Sequence, residues 1–140
     1  MTARVEREFT VSAPPEEVWE FISDPGNRAR AISVVDRFET RGETTTWYIE
    51  LPIPMVRKTF RVRTRTVELT PPEYVRFEGN SSVFDVLGEH RIVPGEEGTT
   101  IVNTFTVDGH APGVESFFKR NLDGEISNLE AALWAHLAEE

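Results

Sequence analysis

PGVESFFKRNLDGEISNLEAALWAHLAEE, residues 112–140, is where the apolar pattern of this chain changes from alternation to a helical period. Val114, Phe118, Leu122, Ile126, Leu129, Leu133 and Leu137 recur three or four residues apart. They make one stripe on a helix of roughly 27 residues, ~40 Å long. Gly124 weakens the middle of that helix without ending the pattern. A lone helix of this length with one apolar side must lie across another layer, and the rest of the chain supplies a sheet.

Upstream, the signals are those of strands and turns. Residues 3–11 alternate, with Val5, Phe9 and Val11 on one face of a strand. Ser12-Ala13-Pro14-Pro15-Glu16-Glu17 then opens a short helix, with Ser12 as its capping residue, proline in the first turn and acids at the positive end of the dipole. Val18, Trp19, Phe21 and Ile22 give it an apolar face, and Pro25 stops it by biasing Asp24 away from helical dihedrals. A second short helix is expected around residues 27–32. Six strands are expected near 34–40, 44–52, 58–69, 74–80, 83–93 and 99–108, separated by turn stretches such as Thr70-Pro71-Pro72-Glu73 and Pro94-Gly95-Glu96-Glu97-Gly98. Short connections between successive strands favour antiparallel neighbours. The expected fold is α+β: a curved antiparallel sheet of about seven strands around the C-terminal helix.

With 140 residues and 39% apolar content, the chain fits one globular domain spanning 1–140. It has no cysteine, which excludes disulfides and thiolate chemistry. The start MTARVEREF lacks an apolar h-region, and no apolar run approaches the ~20 residues of a spanning helix, so a cytoplasmic protein with no integral membrane association is expected. A formal charge of −9, from 24 acidic and 15 basic residues, works against binding nucleic acid. Lys58 and Lys119 are the only lysines, and such an acid-rich, lysine-poor surface suits high salt, where self-repulsion is screened.

The order strand, two short helices, six strands and one long helix, with the opening Ala13-Pro14-Pro15-Glu16-Glu17-Val18-Trp19-Glu20-Phe21-Ile22-Ser23-Asp24-Pro25, resembles the helix-grip superfamily. That superfamily groups START-type lipid-binding domains, polyketide cyclase/dehydratase-like proteins and birch-pollen-allergen-like proteins. Gly98-Thr99-Thr100-Ile101 and Phe117-Phe118 match it further, and the layout from Leu51 to Val107-Asp108-Gly109 is similar to the carbon monoxide dehydrogenase G-like branch. The chain departs from the usual pattern at Arg28-Ala29-Arg30-Ala31-Ile32-Ser33, where an aromatic often precedes the second strand. The resemblance implies a helix-grip fold enclosing a cavity for a small hydrophobic ligand.

Turn positions set the strand register. Val93 opposite Thr100 puts Ile92 against Ile101, His90 against Asn103, Gly88 against Phe105 and Val86 against Val107 on the apolar, inward face. Leu51 opposite Lys58 sets Ile49 against Phe60 and Trp47 against Val62. Apolar residues change parity between Phe60/Val62 and Val67/Leu69, which predicts a bulge. The expected interior wall is Trp47, Ile49, Phe60, Phe77, Phe84, Val86, His90, Ile101, Asn103 and Phe105, closed by Phe118 and Leu122. These residues either line a ligand cavity or fill a solid core.

His90 and Asn103 are the polar pair on that wall. They read either as a ligand-orienting or proton-transferring pair, or as two groups that satisfy each other. His90 is the one catalytic candidate. His110 is expected on an exposed loop and His136 at a helix C-terminus, where a cation is favourable. No histidine spacing suits a metal, and no nucleotide fingerprint is present, so neither metal nor cofactor is expected. Arg57, Arg61, Arg63 and Arg65 form a basic row, expected as a solvated outer face matched by Glu50 and Glu78. The function expected is binding or carriage of a lipid, isoprenoid quinone or polyketide-like aromatic. The alternatives are a cyclase/dehydratase with His90 as proton shuttle, or an accessory protein that meets a protein partner through its surface.

Overall fold

Alternating burial builds the sheet strand by strand. In β1 (Thr2–Val11), Ala3, Phe9 and Val11 turn inward while Arg4, Glu6, Glu8 and Thr10 face water. The computed structural model describes residues 2–51, 59–110 and 113–138. After β1 come α1 (Pro15–Ile22), α2 (Pro25–Ala31), β2 (Val35–Arg41), β3 (Thr44–Ile49), β4 (Phe60–Thr70), β5 (Tyr74–Asn80), β6 (Phe84–Gly95), β7 (Gly98–Gly109) and α3 (Val114–Ala138). The seven strands form one antiparallel sheet in the order β1-β7-β6-β5-β4-β3-β2, a meander closed by the first strand against the last.

The register of the β6–β7 hairpin is the expected one: Ile92 opposes Ile101, His90 opposes Asn103, Gly88 opposes Phe105 and Val86 opposes Val107. Ile49 opposes Phe60 and Trp47 opposes Val62, again as expected. The pairing of Leu51 with Lys58, and Arg57 of the basic row, lie outside the described residues. The bulge is real and falls between Thr66 and Glu68. It does not turn the later apolar residues inward, since Val67 and Leu69 are both exposed.

Two local readings need correction. Ser12 does not cap α1; Pro14 holds the N-cap position, with no side-chain cap bond. The second helix starts at Pro25 rather than Asn27, because Asp24 begins a helix as well as following one: its Oδ1 accepts from the Gly26 N–H at 2.9 Å, and Pro25 takes the first helical position. Asp24→Ala is expected to lower stability by about 1 kcal/mol, measured by urea unfolding.

The stripe on α3 is buried from Val114 to Leu133 and joins two apolar clusters. Its first half packs with Trp47, Phe77, Phe84 and Phe105. Its second half packs with Phe21 and Ile22 of α1 and with Val75, Ile92 and Ile101 of the sheet. Arg7 on β1 fastens the helix from outside through Asp123 at 3.1 Å and Glu130 at 3.7 Å.

Candidate ligand-binding site

Phe77 stands at the centre of the first cluster. It lies opposite Gly88 across β5 and β6, and a Cβ at Gly88 would come within 2.2 Å of the ring. The glycine therefore lets the Phe77 ring lie over the neighbouring strand. Around that ring stand Trp47 at 5.9 Å, Phe105 at 5.9 Å and a stacked His90 at 6.2 Å between centroids. The guanidinium carbon of Arg28, from α2, sits 4.8 Å from the ring centroid. Beside this group, Phe84 meets Phe118 of α3 at 4.9 Å and Phe60 at 5.8 Å.

The hydrogen bonds of His90 fix its tautomer. The Asn103 amide donates through Nδ2 to the Arg7 carbonyl at 3.2 Å, which turns its Oδ1 toward His90 Nδ1 at 2.7 Å. An amide oxygen only accepts, so Nδ1 carries the proton and Nε2 presents a lone pair. His90 is 0% exposed, and Nε2 has no partner. Burial, reinforced by the nearby positive charge of Arg28, pushes its pKa from 6.5 down to about 3, despite the Asn103 hydrogen bond that favours the charged form. The imidazole is neutral at physiological pH.

Two more buried polar atoms share this environment without partners: Trp47 Nε1 and Arg28 Nε. Arg28 is 4% exposed. Its Nη1 donates to the Ile22 carbonyl at 2.9 Å, capping the negative end of α1. Glu125 on α3 is also buried, but its carboxylate accepts from both the Ser33 N–H, at 2.6 Å, and the Ser33 hydroxyl. Among the described residues, two donors and one acceptor thus stand free around the Phe77 ring.

Of the residues expected on the wall, Trp47, Ile49, Phe77, Phe84, Val86, Phe105, Phe118 and Leu122 are buried in this cluster, with Phe60 packed against it. His90 and Asn103 are fully buried beside it. Ile101 is buried in the other cluster, because its inward face is right but it lies further along the strand. Arg28 and the Glu125–Ser33 contact were not expected.

Outside the grip, Arg61, Arg63 and Arg65 are exposed, and Arg65 opposes Glu78 as expected. Glu50 lies beyond β3 and opposes none of them. His110 is exposed, with Nε2 2.9 Å from Asp85 Oδ2. Asp85, Asp108 and His110 bring ligand atoms within 4.8 Å of one another, a grouping that a search for paired histidines misses.

A seven-stranded sheet gripping one long helix defines the helix-grip class of domain. The chain belongs to the polyketide cyclase/dehydrase and lipid transport family, whose family model matches residues 2–133. That match does not single out the carbon monoxide dehydrogenase G-like branch. No curated protein matches the chain in sequence. Among solved structures it is similar to a conserved protein from Geobacillus kaustophilus (16% identity, 99% of this chain and 96% of that one, TM-score 0.75). A START superfamily protein from Mycobacterium smegmatis matches at 14% identity over 97% of both chains, with a TM-score of 0.75. The Zhui aromatase/cyclase from Streptomyces matches at 19% identity over 99% of this chain and 93% of that one, with a TM-score of 0.69. These likenesses establish the fold, and family membership sets the general function as ligand binding or cyclase-type chemistry. Among the described residues no helix is long and apolar enough to cross a membrane.

Proposed function

We propose that this protein binds a small hydrophobic molecule inside the grip, against Phe77, with His90 and Trp47 orienting it. The observation that carries this reading is the set of atoms left unpartnered among the described residues, His90 Nε2, Trp47 Nε1 and Arg28 Nε, buried beside the apolar cluster around Phe77. Buried polar atoms are nearly always hydrogen-bonded, so three left open around one ring call for a bound molecule that completes them. Removal of its apolar surface from water, at about 25 cal/mol per Å², supplies the affinity.

Binding fits the site better than proton shuttling by His90. A group with a pKa of about 3 is a weak base at neutral pH, and its protonated form is scarce. A carrier needs only the neutral ring as an acceptor.

The test is native mass spectrometry of the purified protein with extraction of bound molecules, followed by calorimetric titration with naphthol. One naphthol per chain is expected. Trp47→Phe and His90→Ala should each weaken it about two- to tenfold, the range of a single neutral hydrogen bond. Absence of any retained molecule together with no titratable naphthol binding would remove this reading.

A further inference from the structure

Arg28 carries a buried positive charge. Among the described residues no carboxylate forms an ion pair with it. Asp24 at the N-cap of α2 and the buried Glu125 of α3 are engaged elsewhere. Asp24 binds the Gly26 N–H and acts on Arg28 only through its field, and Glu125 is held by Ser33. The guanidinium remains ionised at neutral pH, with burial drawing its pKa down to about 10. Its local partners are one helix-end carbonyl and the face of Phe77, which offset part of the charge and leave Nε open. Water could fill the hydrogen bond at Nε but not balance the charge. A buried cation in this state selects an anion.

We propose that the ligand is an amphipathic monoanion whose carboxylate-class head group binds the Arg28 guanidinium through Nε while its apolar body lies against Phe77. This rests on the interior binding reading above and narrows it to one ligand class. A carboxylate suits the planar edge of a guanidinium, and one negative charge balances one buried cation. A phosphate monoester would leave excess charge in an apolar interior. The free lone pair of His90 Nε2 adds a second preference, a hydroxyl on the same molecule to donate to it.

Calorimetric titration with hydroxynaphthoate and with its neutral methyl ester separates the possibilities. The wild-type protein is expected to bind the acid at least about tenfold more tightly than the ester, the scale of a hydrogen bond to a charged group. Arg28→Met should remove that preference, and Arg28→Lys should keep part of it. Equal wild-type affinity for acid and ester would overturn the inference and leave interior binding standing. A preference that survives in Arg28→Met would also overturn it, by placing the anion elsewhere. No binding of either compound overturns the inference, and interior binding then stands or falls on the retained molecule and the naphthol titration. The acid–ester comparison in the wild type holds even if Arg28→Met fails to fold.

Discussion

Acidification from about pH 7 to about pH 5 is expected to weaken the fold by about 2 kcal/mol through His90 alone. In the unfolded chain this imidazole titrates near 6.5, whereas in the folded protein burial and the Arg28 charge hold its pKa at about 3. Below 6.5 the unfolded state binds a proton that the folded state refuses, so stability falls as the pH falls. The loss continues until the pH reaches about 3, where it totals on the order of 4 kcal/mol. Urea unfolding of the wild type and of His90→Gln across this range measures it. Glutamine cannot titrate, yet its amide can still donate to Asn103. The other ionisable groups are common to both proteins, so the difference between the two pH profiles isolates His90. Parallel profiles would mean that His90 is hydrated or protonated in the folded state, and with that the neutral acceptor in the site would be lost.

That His90 faces Asn103 was legible from sequence, and the reason is geometric. The turn around Gly95–Gly98 leaves one register in which the apolar residues of both strands share a face, and that register pairs the two. The α3 stripe was equally plain, because a period of 3.6 over seven positions has no strand counterpart. Alternation says which face a residue takes but not how far along the interior it lies, so it does not reveal that Ile101, buried as expected, packs in the second cluster and not around Phe77. Asp85 opposite Asp108 follows from the same register carried one pair beyond Val86 and Val107. His110 joins them only because its N–H bonds back to the Val83 carbonyl at 2.8 Å, beyond the paired strands.

Arg28 was illegible for a different reason. A helix of seven residues, PGNRARA, is too short to display a period, and arginine is among the residue types least expected inside. Its burial is decided by where α2 lands against β2 and α3, a tertiary fact. The same holds for Trp47. Its inward face was readable, but that its indole N–H would find no partner depended on how the side chains around Phe77 pack. The walls of this domain are written in periodicity, while the polar atoms that would choose a ligand emerge only from packing.

Gly88→Ala is expected to lower stability by about 3 kcal/mol, or about 10 °C in Tm, the upper range for overpacking. The new methyl would sit 2.2 Å from Cε1 and 2.3 Å from Cζ of Phe77, contacts that no side chain tolerates. The ring has little room to retreat, with Trp47, Phe105, His90 and Arg28 packed around it. Displacing it would shift the surface on which the proposed ligand rests, so naphthol affinity should fall along with Tm. Gly88→Ala combined with Phe77→Leu should recover part of the stability without the affinity, because the shorter side chain makes room but offers no aromatic face. Gly124→Ala supplies the opposite sign: nothing lies within 4 Å of a Cβ built there, and alanine in mid-helix should stabilise by up to about 1 kcal/mol. A Gly88→Ala protein as stable as the wild type would show that the Phe77 ring is not fixed over Gly88, and the polar atoms grouped around it would lose their common centre.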